Sequence, residues 1–186
     1  MRYTKSQLME PRRSATRLVV ATLVFLACFT QGVRVQTVLV PAGADWKYLV
    51  AGSDQGTAWR VLSFDDSSWA EGPAELGYGD TGEATVVGFG PDAQAEFVTT
   101  YFRHTFNVDD ASVFTNFLVR LVRDDGAIVY LNGVGIFRSN MAEGDVSFAD
   151  LATRPVDDVD ETNFFLHSFL VNHLAEGPNV LAVEVH

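Results

Sequence analysis

The chain contains one cysteine and few basic residues, and it lacks the common catalytic motifs. Its only cysteine, Cys28, lies in an N-terminal apolar run, so residues 33–186 can form neither a disulfide nor a thiolate metal site. Beyond residue 32 the only lysine is Lys47, and no Gly-x-x-x-x-Gly-Lys loop is present to bind phosphate. Gly-x-Ser-x-Gly and His-Glu-x-x-His are also absent, which excludes the usual serine-hydrolase elbow and metalloprotease helix. We therefore assign no catalytic residue and expect a non-enzymatic chain, with any catalytic domain outside it.

Residues 1–32 have the pattern of a secretory signal peptide. Five basic residues and a single Glu10 accompany the apolar run LVVATLVFLACF at 18–29. That run is shorter than the roughly 20 apolar residues that a membrane-spanning helix needs. We expect cleavage near Gly32 and a protein that is secreted or held at the cell surface, with no membrane association beyond export.

The chain that would remain is strongly acidic. Removing residues 1–32 takes away five of the 13 basic residues and one of the 24 acidic ones, which leaves 8 and 23 and a formal net charge of −15. Such a surface repels nucleic acid and anionic membranes, so neither is expected as a partner. The charge suits cation binding, although a solvated acidic surface explains it without any ligand.

Short apolar runs separated by turn signals predict an all-β fold. Asp124-Asp125-Gly126 and Asn132-Gly133 are hairpin signals, because a type I′ turn needs positive φ at both central residues. Strands are predicted at 35–40, 46–50, 97–108, 117–123, 127–131, 135–138, 164–170 and 180–186, with long loops at 79–95 and 139–162. Short strands with almost no helical periodicity favour an antiparallel β-sandwich of jelly-roll type over residues 33–186. Because the last predicted strand runs to His186, we expect one further strand to be missing.

Two smaller features of this pattern concern single residues. Asp65 or Asp66 is predicted to cap one helical turn that carries Trp69 toward the core. His104 falls on the apolar face of its strand, which favours a packed core or rim histidine over a ligand.

The acidic turn Asp124-Asp125-Gly126 has two interpretations. The first is turn chemistry alone, in which Asp side chains accept hydrogen bonds from nearby backbone amides and Gly126 takes positive φ. The second is that Asp124 and Asp125 supply oxygen ligands for a structural Ca²⁺ at the rim of the sandwich. The residue types fit both.

Aromatic residues provide the candidate ligand-binding surface. Sugar binding uses an aromatic platform with polar groups beside it. The candidates are Trp46, Trp59, Trp69 and Tyr78, with Arg138 and Asn140 as hydrogen-bonding partners. The alternative for each aromatic ring is core packing, since large aromatic residues dominate the cores of sandwiches.

The order of the motifs FDDSSW, EGPAELGYGD, TTYFRHTFNV, DDGAIVYLNG and EGPNVLAVEVH resembles that of galactose-binding-domain-like jelly-roll modules of large secreted bacterial proteins. The resemblance covers about residues 44–186. Residues 102–106, 129–133 and 177–183 are more loosely similar to the sugar-binding domain of β-galactosidase-type glycoside hydrolases. The turn Asp124-Asp125-Gly126 is similar to that of protective-antigen-type lectin domains, which implies Ca²⁺ at Asp124 and Asp125.

These resemblances imply a non-catalytic extracellular module that binds carbohydrate or acts in adhesion. Its expected partners are carbohydrate or neighbouring domains of the same polypeptide. Two alternatives stay open: a structural spacer or interaction domain, and an accessory domain of a secreted hydrolase such as a metallophosphoesterase or a glycoside hydrolase.

Overall fold

The computed structural model describes residues 17–19, 23–26, 36–79, 82–91, 96–156 and 163–186. The strands in these ranges are β1 (Arg17–Val19), β2 (Leu23–Leu26), β3 (Gln36–Val40), β4 (Asp45–Leu49), β5 (Ala70–Pro73), β6 (Leu76–Gly77), β7 (Thr85–Val86), β8 (Thr100–Val108), β9 (Asn116–Arg123), β10 (Ala127–Leu131), β11 (Val134–Ser139), β12 (Phe165–Leu170) and β13 (Gly177–Val185). Two 3-10 turns lie at Ala58–Arg60 and Ala111–Val113. No helix within the described ranges is long and apolar enough to span a bilayer.

One sheet has six strands in the order β11-β10-β13-β8-β4-β5, and every neighbouring pair is antiparallel. Its longest ladder joins β8 to β13, from Thr100 opposite Val185 to Val108 opposite Gly177. The strands predicted at residues 97–108 and 180–186 therefore correspond to β8 and β13, which pair with each other in the middle of this sheet.

The second sheet has the order β3-β2-β9-β1-β6-β7, and β12 also pairs with β9. Only the short β6–β7 pair among the described strands is parallel. Strands β1 and β2 come from the stretch predicted to be a signal peptide, and the rest of residues 1–32, including Cys28, lies outside the described residues. The signal peptide stays a prediction. If it is cleaved, β9 loses the pairing with β1 and β2.

The two sheets face each other across one hydrophobic core. The second sheet contributes Phe117, Val119 and Leu121 from β9, the three residues that alternation places on one face. The six-stranded sheet contributes Leu181, Val183 and Val185 from β13, together with Phe102, Phe106, Val129, Leu131 and Trp46. The predicted all-β antiparallel sandwich is confirmed. Its jelly-roll connectivity stays a prediction.

A second hydrophobic cluster covers the outer face of the six-stranded sheet. Its buried members are Trp59, Trp69, Tyr101, Ile128, Tyr130, Met141 and Ala182. The Trp59 ring lies edge-on to Tyr101 at a centroid distance of 4.9 Å and to Tyr130 at 5.8 Å. The segments around residues 59–69 and 141–152 therefore form a third layer over this sheet.

The turn between β10 and β11 follows the prediction, with φ of 51° at Asn132 and 90° at Gly133. The Asn132 amide also reaches β13, because its Nδ2 donates to Asn179 Oδ1 at 2.7 Å and its Oδ1 accepts from the Val180 amide at 2.9 Å. Asn179 is fully buried. The Asn179 side chain of the Gly-Pro-Asn motif at 177–179 thus links the turn between β10 and β11 to the turn that precedes β13.

One local prediction was wrong. Gly126 is not among the positive-φ glycines; a Cβ there would lie 2.4 Å from Met141 Sδ, so close approach of the 140–152 segment explains this glycine.

The turn predicted after Asp65 is present as one hydrogen-bonded turn. The Asp65 side chain accepts from the Ser67 amide at 3.0 Å, and the Trp69 amide donates to the Asp66 carbonyl at 3.0 Å. The turn buries Trp69, as predicted.

Candidate functional site

The predicted aromatic platform lies in packed positions. Trp46 and Trp59 are both 0% exposed and belong to different hydrophobic clusters on opposite faces of the six-stranded sheet. Tyr78 is 7% exposed, and its hydroxyl donates to Glu96 Oε2 at 3.2 Å. Trp69 is also 7% exposed. In this conformation no single surface presents these rings together, so sugar stacking on them stays a prediction that requires the covering segments to move.

Arg138 and Asn140 hold the segment that follows β11. Arg138 donates through Nη1 to the Ala142 carbonyl and through Nη2 to the Gly144 carbonyl at 2.8 Å. Asn140 Nδ2 donates to the Asp125 carbonyl at 3.1 Å and to the Arg154 carbonyl at 2.7 Å. Their role as hydrogen-bonding partners of a sugar stays a prediction, since these donors already bind backbone carbonyls.

The predicted calcium ligands lie at the turn between β9 and β10. Asp124 is 1% exposed. Asp125 Oδ1 accepts from the Val156 amide at 2.6 Å, which holds the end of the long 139–156 segment. Within the part of the chain that the structure describes, no three His, Cys, Asp or Glu side chains are grouped to hold a metal ion. Calcium binding at Asp124 and Asp125 stays a prediction.

A buried polar network under the outer layer was not predicted. Glu184 of β13 accepts a hydrogen bond from the Tyr130 hydroxyl at 2.5 Å, and Arg60 Nη2 lies 3.4 Å from the same oxygen. Burial, together with Glu184, raises the pKa of Tyr130, and burial raises that of Tyr101 to about 12. Alternation in β13 could have indicated this network, because Glu184 faces away from the inter-sheet core. Nothing in the sequence indicated that a third layer covers that face.

A polar pocket lies beside this network, where β4, β5 and β8 meet. It has a volume of about 310 Å³. Its lining residues are Asp45, Lys47, Asp66, Glu71, Arg103, His104 and Thr105. Sheet register builds it, because Lys47 lies opposite Glu71 on one side and opposite Arg103 on the other.

Arg103 forms the rigid base of this pocket. It is 1% exposed, and its Nε donates to Asp66 Oδ2 at 2.7 Å. Its Nη1 donates to the carbonyls of Trp59 and Val61, while Phe64 packs over the guanidinium at 5.2 Å. These contacts fix the cation, and they leave Nη2 without a protein partner among the described residues.

His104 also lines the pocket, and its ring lies on the core side of β8, opposite to the face that carries Arg103. Its Nδ1 lies 2.7 Å from the Asp45 carbonyl, which can only accept, so the proton is on Nδ1 and Nε2 carries a lone pair. Its ring packs on Trp46 at a centroid distance of 5.0 Å, and burial lowers the pKa of His104. The prediction of a packed rim histidine is confirmed, and the imidazole is neutral near pH 7.

The pocket thus brings together hydrogen-bond donors and acceptors on a rigid sheet. Lys47 Nζ lies 3.0 Å from Glu71 Oε2, with side chains 31% and 54% exposed. Thr105 and Asp45 are exposed at the rim. The sequence patterns predicted none of the pocket residues as ligands, because they are spread over four segments and each is ordinary in its own strand or turn.

Comparison with protein-family models, with curated proteins and with solved structures finds no match to this chain.

Proposed function

We propose that this chain is a non-catalytic carbohydrate-recognition module of an exported protein, and that the pocket between β4, β5 and β8 is its binding site. The observation that carries the proposal is a pocket of about 310 Å³ whose seven lining residues are all charged or polar. Ligand pockets commonly measure about 300–1,000 Å³, so this volume suits one sugar ring rather than a long glycan.

The chemistry of the lining supports a polyol. Sugar hydroxyls donate and accept hydrogen bonds in pairs, so they need acceptors and donors side by side. Carboxylate oxygens of Asp66 and Glu71 supply acceptors, while Lys47 and Arg103 supply donors. The two ion pairs hold these groups in place before any ligand arrives, which lowers the entropic cost of binding.

Isothermal titration calorimetry with a panel of monosaccharides tests this proposal. Glu71→Gln removes a charged acceptor from the pocket and should weaken binding about 5- to 10-fold. Glu176→Gln is the matched control, since it makes the same change at an exposed residue outside the pocket. Absence of sugar binding by the wild-type chain, or equal loss in both variants, would contradict the proposal.

Packing against a neighbouring domain of the same polypeptide is the second candidate, and β12 favours it. Leu166 and Leu170 on this strand are 63% and 65% exposed, and Phe164 just before it is 41% exposed. Exposed apolar clusters of this kind mark interaction surfaces. Amide hydrogen exchange in β12 should be slower in the parent polypeptide than in this chain alone, and equal exchange would remove this candidate.

A further inference from the structure

We infer that the pocket between β4, β5 and β8 is selective for a cationic polyol, an amino sugar whose ammonium group lies against Asp45. The inference rests on the proposed function, because it names the class of sugar that the same pocket would take. It is based on the balance of charges among the seven lining residues.

The charges of the pocket do not cancel. Lys47 is paired with Glu71 at 3.0 Å, and Arg103 is paired with Asp66 at 2.7 Å. Asp45 remains; among the described residues its carboxylate has no hydrogen-bond or ion-pair partner. The pocket therefore carries one uncompensated negative charge while His104 is neutral.

The hydrogen-bonding groups of the pocket suit the hydroxyls of the same ligand. Only one oxygen of Asp66 and one of Glu71 are used by the ion pairs, so each carboxylate keeps a second oxygen that can accept from a ligand. Lys47 Nζ uses one of its three N–H groups on Glu71, and Arg103 Nη2 has no protein partner among the described residues, so both can donate to a ligand. Hydroxyls can use both kinds of group, and the unpaired Asp45 carboxylate is the feature that favours an ammonium group beside them.

Other ligand classes fit this balance less well. An acidic sugar would bring a second negative charge to Asp45 in a chain whose formal net charge is already −11. A neutral sugar can satisfy the hydroxyl contacts but leaves the Asp45 charge uncompensated. A bare divalent cation needs converging oxygens, whereas two of the three carboxylates already bind cationic side chains.

Calorimetric titration of the chain with glucosamine, N-acetylglucosamine and glucose tests the inference. The measurement is made at about pH 6.5 and low ionic strength, where an amine with a pKa near 7.7 is charged. Because Asp45 is exposed at the rim, its pair with an ammonium group should give a preference of about 3- to 5-fold for glucosamine over the two neutral sugars. Added salt should reduce that preference, since the pair is open to solvent.

Asp45→Asn should abolish the preference without abolishing sugar binding, and Asp145→Asn, the same change at an exposed residue outside the pocket, should leave it intact. A preference that survives in Asp45→Asn would overturn the inference. Equal binding of glucosamine and glucose would overturn it too, while leaving the proposed carbohydrate function standing. If none of the three sugars binds, both proposals fail.

Discussion

Replacing Arg103 with methionine should remove the contacts that hold the outer layer to the sheet while keeping an unbranched side chain of similar length. The guanidinium is almost fully buried, and it joins β8 to Asp66 and to the carbonyls of Trp59 and Val61. Removing one partner of a buried ion pair costs about 3–5 kcal/mol, because the other charge stays desolvated. The Asp66 side chain is 21% exposed, so water relieves part of this cost and we expect about 3 kcal/mol.

The matched control is Lys47→Met, which breaks the other ion pair of the same pocket. Since the side chains of Lys47 and Glu71 are 31% and 54% exposed, this change should cost less than about 1 kcal/mol. Urea unfolding gives both free energies, and the Arg103 variant should also melt about 6–12 °C below wild type. Two losses that agree within about 0.5 kcal/mol would refute the reasoning, because burial is what distinguishes the two pairs.

Three further predictions concern stability and calcium. Asn179→Ala should lower the free energy of unfolding by about 3 kcal/mol, since this buried amide makes hydrogen bonds to two turns; an unchanged urea midpoint would contradict this. Burial lowers the folded-state pKa of His104 and His186 below 6.5, so the unfolded chain binds more protons and stability should fall as pH drops below about 6.5. The double variant His104→Gln/His186→Gln should flatten that dependence, and an unchanged slope would argue against it. If Asp124 and Asp125 bind Ca²⁺, calcium should raise the melting temperature of wild type but not of Asp124→Asn/Asp125→Asn; identical responses would remove the site.

The sheets and the inter-sheet core could be predicted because the relevant signals are local. Alternation in residues 117–121 and 181–185 fixes which side chains face inward, and the structure places them in the core. Asn132-Gly133 likewise specifies its own turn through positive φ. Apolar periodicity and turn chemistry act within a few residues, so a single sequence is enough to detect them.

The outer layer could not be predicted, because long-range contacts create it. Tyr101 and Arg103 share a face that alternation marks as turned away from the core, and that face is usually solvated. Here Trp59 and Met141, from distant segments, cover it. Strands β5 to β7 were missed for a similar reason. They are only two to four residues long, β5 and β6 contain Gly or Pro, and sheet pairing rather than propensity stabilises them.

The sequence-predicted site and the pocket differ for a physical reason. A tryptophan in the sequence suggests a platform for sugar binding. Trp46 and Trp59 are instead fully buried, and each stabilises the fold by burial of its large apolar area. The pocket instead depends on which charged residues the register brings side by side. Lys47, Glu71 and Arg103 are neighbours only because three strands pair, and β5 was not predicted.

The central claim is that sugar binds at the pocket between β4, β5 and β8. A two-dimensional ¹H–¹⁵N NMR titration of the labelled chain with glucosamine tests this claim most directly. The account predicts saturable amide shifts at residues 45–47, 66, 71 and 103–105, with little change at residues 138–140. Shifts confined to the segment around Arg138 and Asn140, or no saturable shifts at all, would contradict it.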